Sequence, residues 1–387
     1  MTTWITPAPE PHADFGRWLV MAQERGGRSY LGQVVDLWRA SRGPGRLEAD
    51  EYYAYRLYSA ERELDSFVGR RGVRHLLNEV IRSPWPALSS DQLAIRAMLQ
   101  GFGLPVPELV AVWASGRHVG DAELWTDTAT AVHGLASLEG PVFIKPVDAA
   151  NSGAVLSVDR VDAGALILSD GRSATPEEVA GQLAARATSA GVQVQRRLTP
   201  HPEVGALTDG RIATVRLLFL VQGSEVHLHR AVWRLPTGLS PCDAPWRPGN
   251  LLAGVAPSTG RVVSASRGLG PDRRAVTAHP DGHELVGAPV PGWEALVETA
   301  RAAASAIAWC PIQAWDLALT DQGPVILELE GDGGAPELTQ LPFDAGWADA
   351  RWRDHVSALT ARAEARDRAR PSWWSTVRET WRAARAD

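Results

Sequence analysis

Residues 313–336, QAWDLALTDQGPVILELEGDGGAP, hold two runs in which apolar and polar side chains alternate about a short turn. A period of two is that of a strand and not of a helix, so the segment predicts an antiparallel hairpin. Trp315, Leu317 and Leu319 share one face, which sends Asp316 to the other; Leu327 and Leu329 likewise leave Glu328 and Glu330 together. With the turn Asp321–Gly323 centred on Gln322, symmetric pairing sets Asp316 opposite Glu328. Three carboxylates then crowd one face. Like charges so placed repel unless screened, and a divalent cation that prefers hard oxygen ligands would relieve them. A solvated acidic face is the competing reading. Gly331, Gly333 and Gly334 follow at once and give the backbone freedom to meet a ligand.

The rest of the chain mixes strands and helices without a regular βαβ rhythm, which predicts an α+β fold. Strand-like runs are expected at 109–113, 142–145, 154–158, 193–198, 212–221 and 226–233, with helices at 177–190 and 293–309. Ser89–Leu109 reads as a helix capped by Ser90 or Asp91, with Leu93, Ala94, Ala97 and Met98 inward and Gly101, Gly103 and Pro105 ending it. Residues 1–85 read as mostly helical: Trp18, Leu19 and Ala22, then Leu31, Val34, Val35 and Trp38, recur at the three-and-four spacing that an amphipathic face requires. Tyr52, Tyr55 and Tyr58 continue this as a short aromatic stripe. From Ala348 the chain turns helical again, and Trp373, Val377 and Trp381 fall on one face of its last segment.

Of the 39 basic residues only Lys145 is a lysine. Where arginine has replaced lysine almost everywhere, the survivor marks a place that needs a compact ammonium and not a planar guanidinium. It ends a strand and is followed by Pro146 and the small-residue loop Asp148–Gly153, whose backbone N–H groups could approach phosphate oxygens closely. Arg216, set among Val215, Leu217, Leu218 and Phe219, needs an anionic partner, either a substrate group or a carboxylate of the hairpin. Arg230, Arg234 and Asn250 are weaker substrate-binding candidates of the same kind. A net charge of −6 without a basic run argues against a nucleic-acid partner. No apolar stretch is long enough to span a bilayer. The N-terminus lacks a signal-peptide pattern, and the two cysteines show no metal spacing. A cytoplasmic setting is therefore expected.

In order, these segments resemble the sugar-transfer-associated, glutamate-ligase-like branch of the ATP-grasp superfamily. The residues that carry the likeness are EYYAYRLYS, SSDQLAIRAMLQGFGLPVP, FIKPVDAANSGAVLSV, VQVQRRLTPHPEVGAL, IATVRLLFLV and the hairpin, across roughly residues 50 to 345. The resemblance implies an ATP-grasp fold with a helical N-terminal extension (1–85) and a C-terminal helical tail (348–387). Between them come a linker helix with pre-grasp strands (86–140), a small subdomain (141–198) and a large subdomain carrying the hairpin (199–347). It implies ATP and Mg²⁺ as cofactors. Lys145 would meet the α- and β-phosphates, and Asn151, Ser152 and Gly153 would close over them. Gln195, Arg196 and Leu198 would form the adenine hinge, with Glu203 near the ribose. Arg216 would face the transferred phosphoryl group, and Asp316, Glu328 and Glu330 would hold the metal. Two residues depart from the family pattern. Gln92 stands where a second phosphate lysine is common, with Arg96 as a substitute, and Glu330 stands where asparagine is usual.

The implied activity is ligation of small-molecule substrates: a carboxylate is phosphorylated by ATP and the acyl phosphate is captured by an amine. A phosphotransferase acting on a hydroxyl, or a non-catalytic nucleotide-binding partner, would present the same site. Homodimerisation is left open.

Overall fold

The computed structural model describes residues 14–84, 89–114, 117, 119–148, 155–187, 191–238, 243, 249–331 and 333–369. The loop with Asn151, Ser152 and Gly153, Cys242, and the segment with Trp373, Val377 and Trp381 lie outside the described residues. Four helices come first: α1 (Phe15–Gly26), α2 (Tyr30–Arg42), α3 (Ala49–Ala54) and α4 (Arg70–His75), the last running into a π-helical turn, Leu76–Ile81. Next come α5 (Gln92–Gly101), β1 (Leu109–Trp113), β2 (Glu123–Leu124), α6 (Thr128–Ala136), β3 (Val142–Pro146), β4 (Leu156–Asp162), β5 (Ala165–Leu168), β6 (Ser173–Ala174), α7 (Pro176–Ala187) and β7 (Val192–Arg196). The remainder is α8 (Pro202–Thr208), β8 (Thr214–Gln222), β9 (Glu225–Leu235), β10 (Leu251–Val255), β11 (Val262–Arg267), β12 (Arg274–Val276), α9 (Trp293–Ala306), β13 (Ile312–Thr320), β14 (Gly323–Glu330), α10 (Pro336–Gln340) and α11 (Ala350–Ala369).

The strands form two sheets, ordered β2-β1-β7-β3-β4-β5-β6 and β12-β11-β10-β9-β8-β13-β14. Pairing is antiparallel except between β1 and β2, the α+β arrangement that the irregular strand order predicts. In the first sheet Val142, Ile144, Val192 and Val194 bury one face under α6 and α7. Lys145 and Gln193, which are cross-strand partners, are thereby sent to the opposite face. In the second sheet Val215, Leu217, Trp315 and Leu317 bury one face under Leu296, Ala300 and Ala303 of α9. On the other face Leu218, Leu220, Ile312 and Ala314 are covered by Leu76, Leu77, Trp347 and Trp352, so the terminal helices pack on the body.

Several expectations are corrected. The hairpin turn is the two-residue pair Asp321–Gln322, closed by Gly323 at φ +104°. A regular ladder from it would set Asp316 against Leu327. A bulge between Asp316 and Leu317 inserts one residue and restores Asp316 opposite Glu328. On α5 Asp91 is the cap, accepting from the N–H of Leu93 and Ala94; the inward residues are Leu93, Ile95, Arg96 and Leu99, whereas Ala97 is exposed. The tyrosine stripe is not one helix. α3 ends at Ala54, and Arg56 at φ +57° turns the chain, but Tyr52, Tyr53, Tyr55 and Tyr58 still pack as one buried cluster. The amphipathic face of α2 is turned outward. Leu31, Val34, Val35 and Trp38 face outward, while Gln33 and Asp36 face in. Asp36 takes a two-point ion pair from Arg28 and the Tyr52 hydroxyl, and Gln33 bonds Tyr53 and two carbonyls.

Candidate nucleotide site

Three separate stretches of sequence meet at the edge strand β14. Gln92 opens α5, Gln193 and Gln195 lie on β7, and Glu328 lies on β14; together with Arg96 they line one cavity of about 20 Å³. Gln92 donates Nε2 to Glu328 at 3.0 Å and turns Oε1 to Gln193 Nε2 at 2.7 Å, and Gln193 in turn accepts from Gln195 at 2.8 Å. A directional chain of side-chain amides therefore runs from the end of β7 to the hairpin. Sequence reasoning selected Gln195 and noted Gln92 without a role, and it passed over Gln193. The available signal was two glutamines two apart in an otherwise apolar strand.

The buried cations are of two kinds. Of the buried arginines, Arg216, Arg234 and Arg273 each pair with a carboxylate. Arg96 does not. Its Nη1 donates to the Pro107 carbonyl, its buried Nε has no partner, and burial pushes its pKa down. Lys145, partly buried, has no ion pair with any described residue. Burial lowers its pKa, opposed by the nearby charges of Glu328 and Asp316 and reinforced by Arg96. The Glu328 carboxyl is pushed up, first by burial and then by Asp316. Two under-compensated cations and a carboxyl reluctant to ionise thus share one cleft.

Arg216 and Asp316 are partners in register on β8 and β13. Arg216 grips Asp316 at two points, Nε–Oδ1 2.7 Å and Nη2–Oδ2 2.8 Å, and Arg234 adds Nη2–Oδ2 at 2.8 Å. Burial alone would raise the Asp316 carboxyl, but the two guanidiniums outweigh it and hold it at about 2. Desolvation opposes the Arg216 charge, but the charge and hydrogen bonds of Asp316, with Glu330 and Glu328 nearby, together outweigh it and push its pKa up. Glu330 lies 3.7 Å from Arg216. Gly334, at φ +45°, passes so close that a Cβ there would meet the Glu330 side chain at 2.7 Å and Arg216 Nη1 at 3.0 Å. Among the described residues no three His, Cys, Asp or Glu side chains are grouped to hold a metal ion. Asp316 gives three of its roughly four acceptor positions to Arg216 and Arg234, which leaves one of them, with Glu328 and Glu330 beside it, to meet a magnesium ion.

The other expected residues lie elsewhere. Arg196 bonds the Glu139 carbonyl and approaches Glu108 at 3.5 Å. Glu203 is exposed in the first turn of α8, and Leu198 is half-buried beyond the end of β7. Arg230 donates to the Gly346 carbonyl under the C-terminal segment. Asn250 is buried and accepts from the Thr237 N–H. Arg234 is the substrate candidate that reaches the carboxylates, joined to Thr214 and, at 3.4 Å, to Asp243.

A family model described as sugar-transfer associated ATP-grasp matches residues 81–350. Curated proteins give no match. Similar solved structures include an L-amino acid ligase from Bacillus licheniformis (14% identity, 66% of this chain and 44% of that one, TM-score 0.37). A D-Ala:D-Ser ligase from Enterococcus faecalis is similar at 14% identity, over 71% of this chain and 62% of that one, with TM-score 0.40. D-alanyl-alanine synthetase A from Vibrio cholerae is similar at 11% identity over 72% and 66%, with TM-score 0.42. This chain spans less than two thirds of each of these three.

Proposed function

We propose, from the premise that this chain belongs to the sugar-transfer associated ATP-grasp family, that it binds ATP between its two sheets and spends the γ-phosphate on activating a carboxylate for capture by an amine. The observation that supports nucleotide binding is the pair Lys145 and Arg96, cations that no described carboxylate neutralises by direct pairing. A buried guanidinium with an orphaned N–H costs stability unless an anion completes it, and a triphosphate supplies that anion. Lys145 acts as a point charge on the phosphates, and Arg96 adds a planar donor from the opposite element. The cavity beside Arg96 holds about one water.

In this reading Asp316 orients Arg216 and Arg234, and Arg216 offsets the charge that develops on the transferred phosphoryl group. Glu328 answers Lys145 across the cleft. The carboxylate-to-amide chemistry rests on the resemblance of the whole motif series. The rival reading of a non-catalytic nucleotide binder draws on Gln92, a neutral amide where a cation is common in the family.

The test uses the lone lysine. An ATP analogue with a reactive acyl phosphate acylates amines beside the nucleotide phosphates, and the chain offers Lys145 and its α-amino group. Lys145 should be labelled and protected by excess ATP, and Lys145→Met should abolish labelling. Labelling that competing ATP does not reduce would refute the assignment. Product analysis with acid and amine panels then separates an amide from a phosphorylated alcohol, and from no turnover at all.

A further inference from the structure

The outward face of α2 belongs to no described core. Tyr30, Leu31, Val34, Val35 and Trp38 stand on it with exposures of 45%, 81%, 58%, 45% and 58%. The same face continues into Arg39 and Arg42, both exposed, so its seven solvent-facing residues are five apolar ones and two cations. The only acid of the helix, Asp36, is turned inward and paired with Arg28. The usual helix is reversed here, and the reversal is built: the inner polar residues Gln33 and Asp36 have side-chain partners, so the rotation is fixed.

The stripe is ordered along the axis. Aliphatic Leu31, Val34 and Val35 lie between aromatic Tyr30 and Trp38, a length of about 12 Å at 1.5 Å per residue. The Arg42 guanidinium stacks over the Trp38 ring at 4.7 Å. Arg71, exposed on α4, donates to the Ser41 carbonyl and adds a third cation at that end; Asp65 sits against Gly43, past the end of the stripe. Tyrosine and tryptophan favour the water–hydrocarbon boundary, and arginine favours anionic headgroups. The chain carries a net charge of −6, so this basic apolar face runs against its own average.

We propose that the outward face of α2 rests on an anionic lipid surface, with Leu31, Val34 and Val35 entering the acyl boundary, Tyr30 and Trp38 at its rim, and Arg39, Arg42 and Arg71 on the headgroups. The helix lies in the interface; among the described residues no helix is long and apolar enough to cross a membrane. The three exposed arginines at one end of the stripe complement an anionic surface. The inference is independent of the nucleotide site.

Full-length protein is sedimented with vesicles of phosphatidylcholine alone and of phosphatidylcholine mixed with phosphatidylglycerol. Binding is expected with the mixed vesicles and should fall as salt rises. Arg39→Gln with Arg42→Gln should weaken it roughly 25-fold, about fivefold per cation. Leu31→Asn with Val34→Asn should weaken it by at least about tenfold, with circular dichroism and ATP affinity unchanged. The proposal is overturned if the wild type ignores both vesicles, binds both equally, or is matched by the variants. It is also overturned if the wild type is a dimer that Leu31→Asn with Val34→Asn dissociates without any vesicle binding, which would make the face an interface between copies.

Discussion

Asp316→Asn separates two opposite readings of the acidic hairpin by the sign of its effect on stability. The side chain is 3% exposed, and its partners Arg216 and Arg234 are 4% and 10% exposed. Replacing the carboxylate by an amide keeps the shape and removes the charge that both guanidiniums share. Breaking a buried pair costs about 3–5 kcal/mol, because the remaining charge stays desolvated. The titration points the same way. Moving the carboxyl from 3.8 to about 2 corresponds to roughly 2 kcal/mol in favour of the ionised folded state. Because the folded pKa is depressed, this contribution is present above the unfolded value and is lost as pH falls through about 2. Were Asp316 instead an unscreened carboxylate waiting for a cation, Asp316→Asn in chelator would relieve its repulsion with Glu328 and raise stability. Urea unfolding in EDTA, at pH 7 and along a titration from 5 to 2, is the assay. A loss of several kcal/mol at pH 7 that shrinks in acid is expected. An unchanged or increased stability in EDTA would refute the arginine-anchored arrangement. In a double-mutant cycle, Arg216→Met should recover part of the loss by removing one stranded cation.

Three further outcomes follow from the same geometry. Arg96→Met should weaken ATP binding, read by calorimetry, while leaving the fold as stable or more so, since an uncompensated buried cation is removed; an unstable variant with normal ATP affinity would contradict the phosphate role. Gln92→Leu should cost about 1–3 kcal/mol by leaving one N–H of the Gln193 amide unpaired, its other bond being to the Pro146 carbonyl, and Glu328 without its donor, and an unaltered melting curve would show that the amide chain is not formed. Gly134→Ala, inside α6, places a Cβ 2.3 Å from the Trp125 indole nitrogen and should lower stability by about 1–3 kcal/mol despite alanine's better helix propensity; a rise in melting temperature would overturn the packing.

The strands were legible because alternation survives in antiparallel sheet, and Asp316, Arg216 and Glu328 were legible because each breaks an apolar run. The register was harder. Asp316 does face Glu328, but through a two-residue turn plus a bulge, and alternation alone does not reveal an inserted residue. β10, β11 and β12 gave little signal: all of β10 is buried, so its faces do not differ in polarity. The amide chain was hidden for another reason. Gln92 and Gln193 are 101 residues apart, and neutral amides leave no trace in a charge pattern.

α2 shows where periodicity has no sign. A helix with apolar residues on one stripe and polar residues on the other is amphipathic whichever way it is turned, and the spacing of Leu31, Val34, Val35 and Trp38 fixes the stripe and not its direction. The direction is decided by what the neighbours offer. Here Arg28 supplies Asp36 with two hydrogen bonds, the Tyr52 hydroxyl adds a third, and the Tyr53 hydroxyl donates to Gln33. With partners waiting, burying the polar stripe costs little. Tyr52, which reads as part of an aromatic stripe in sequence, and its neighbour Tyr53 meet the polar side of α2. Their hydroxyls turn the helix over and leave its apolar side for something outside the described fold.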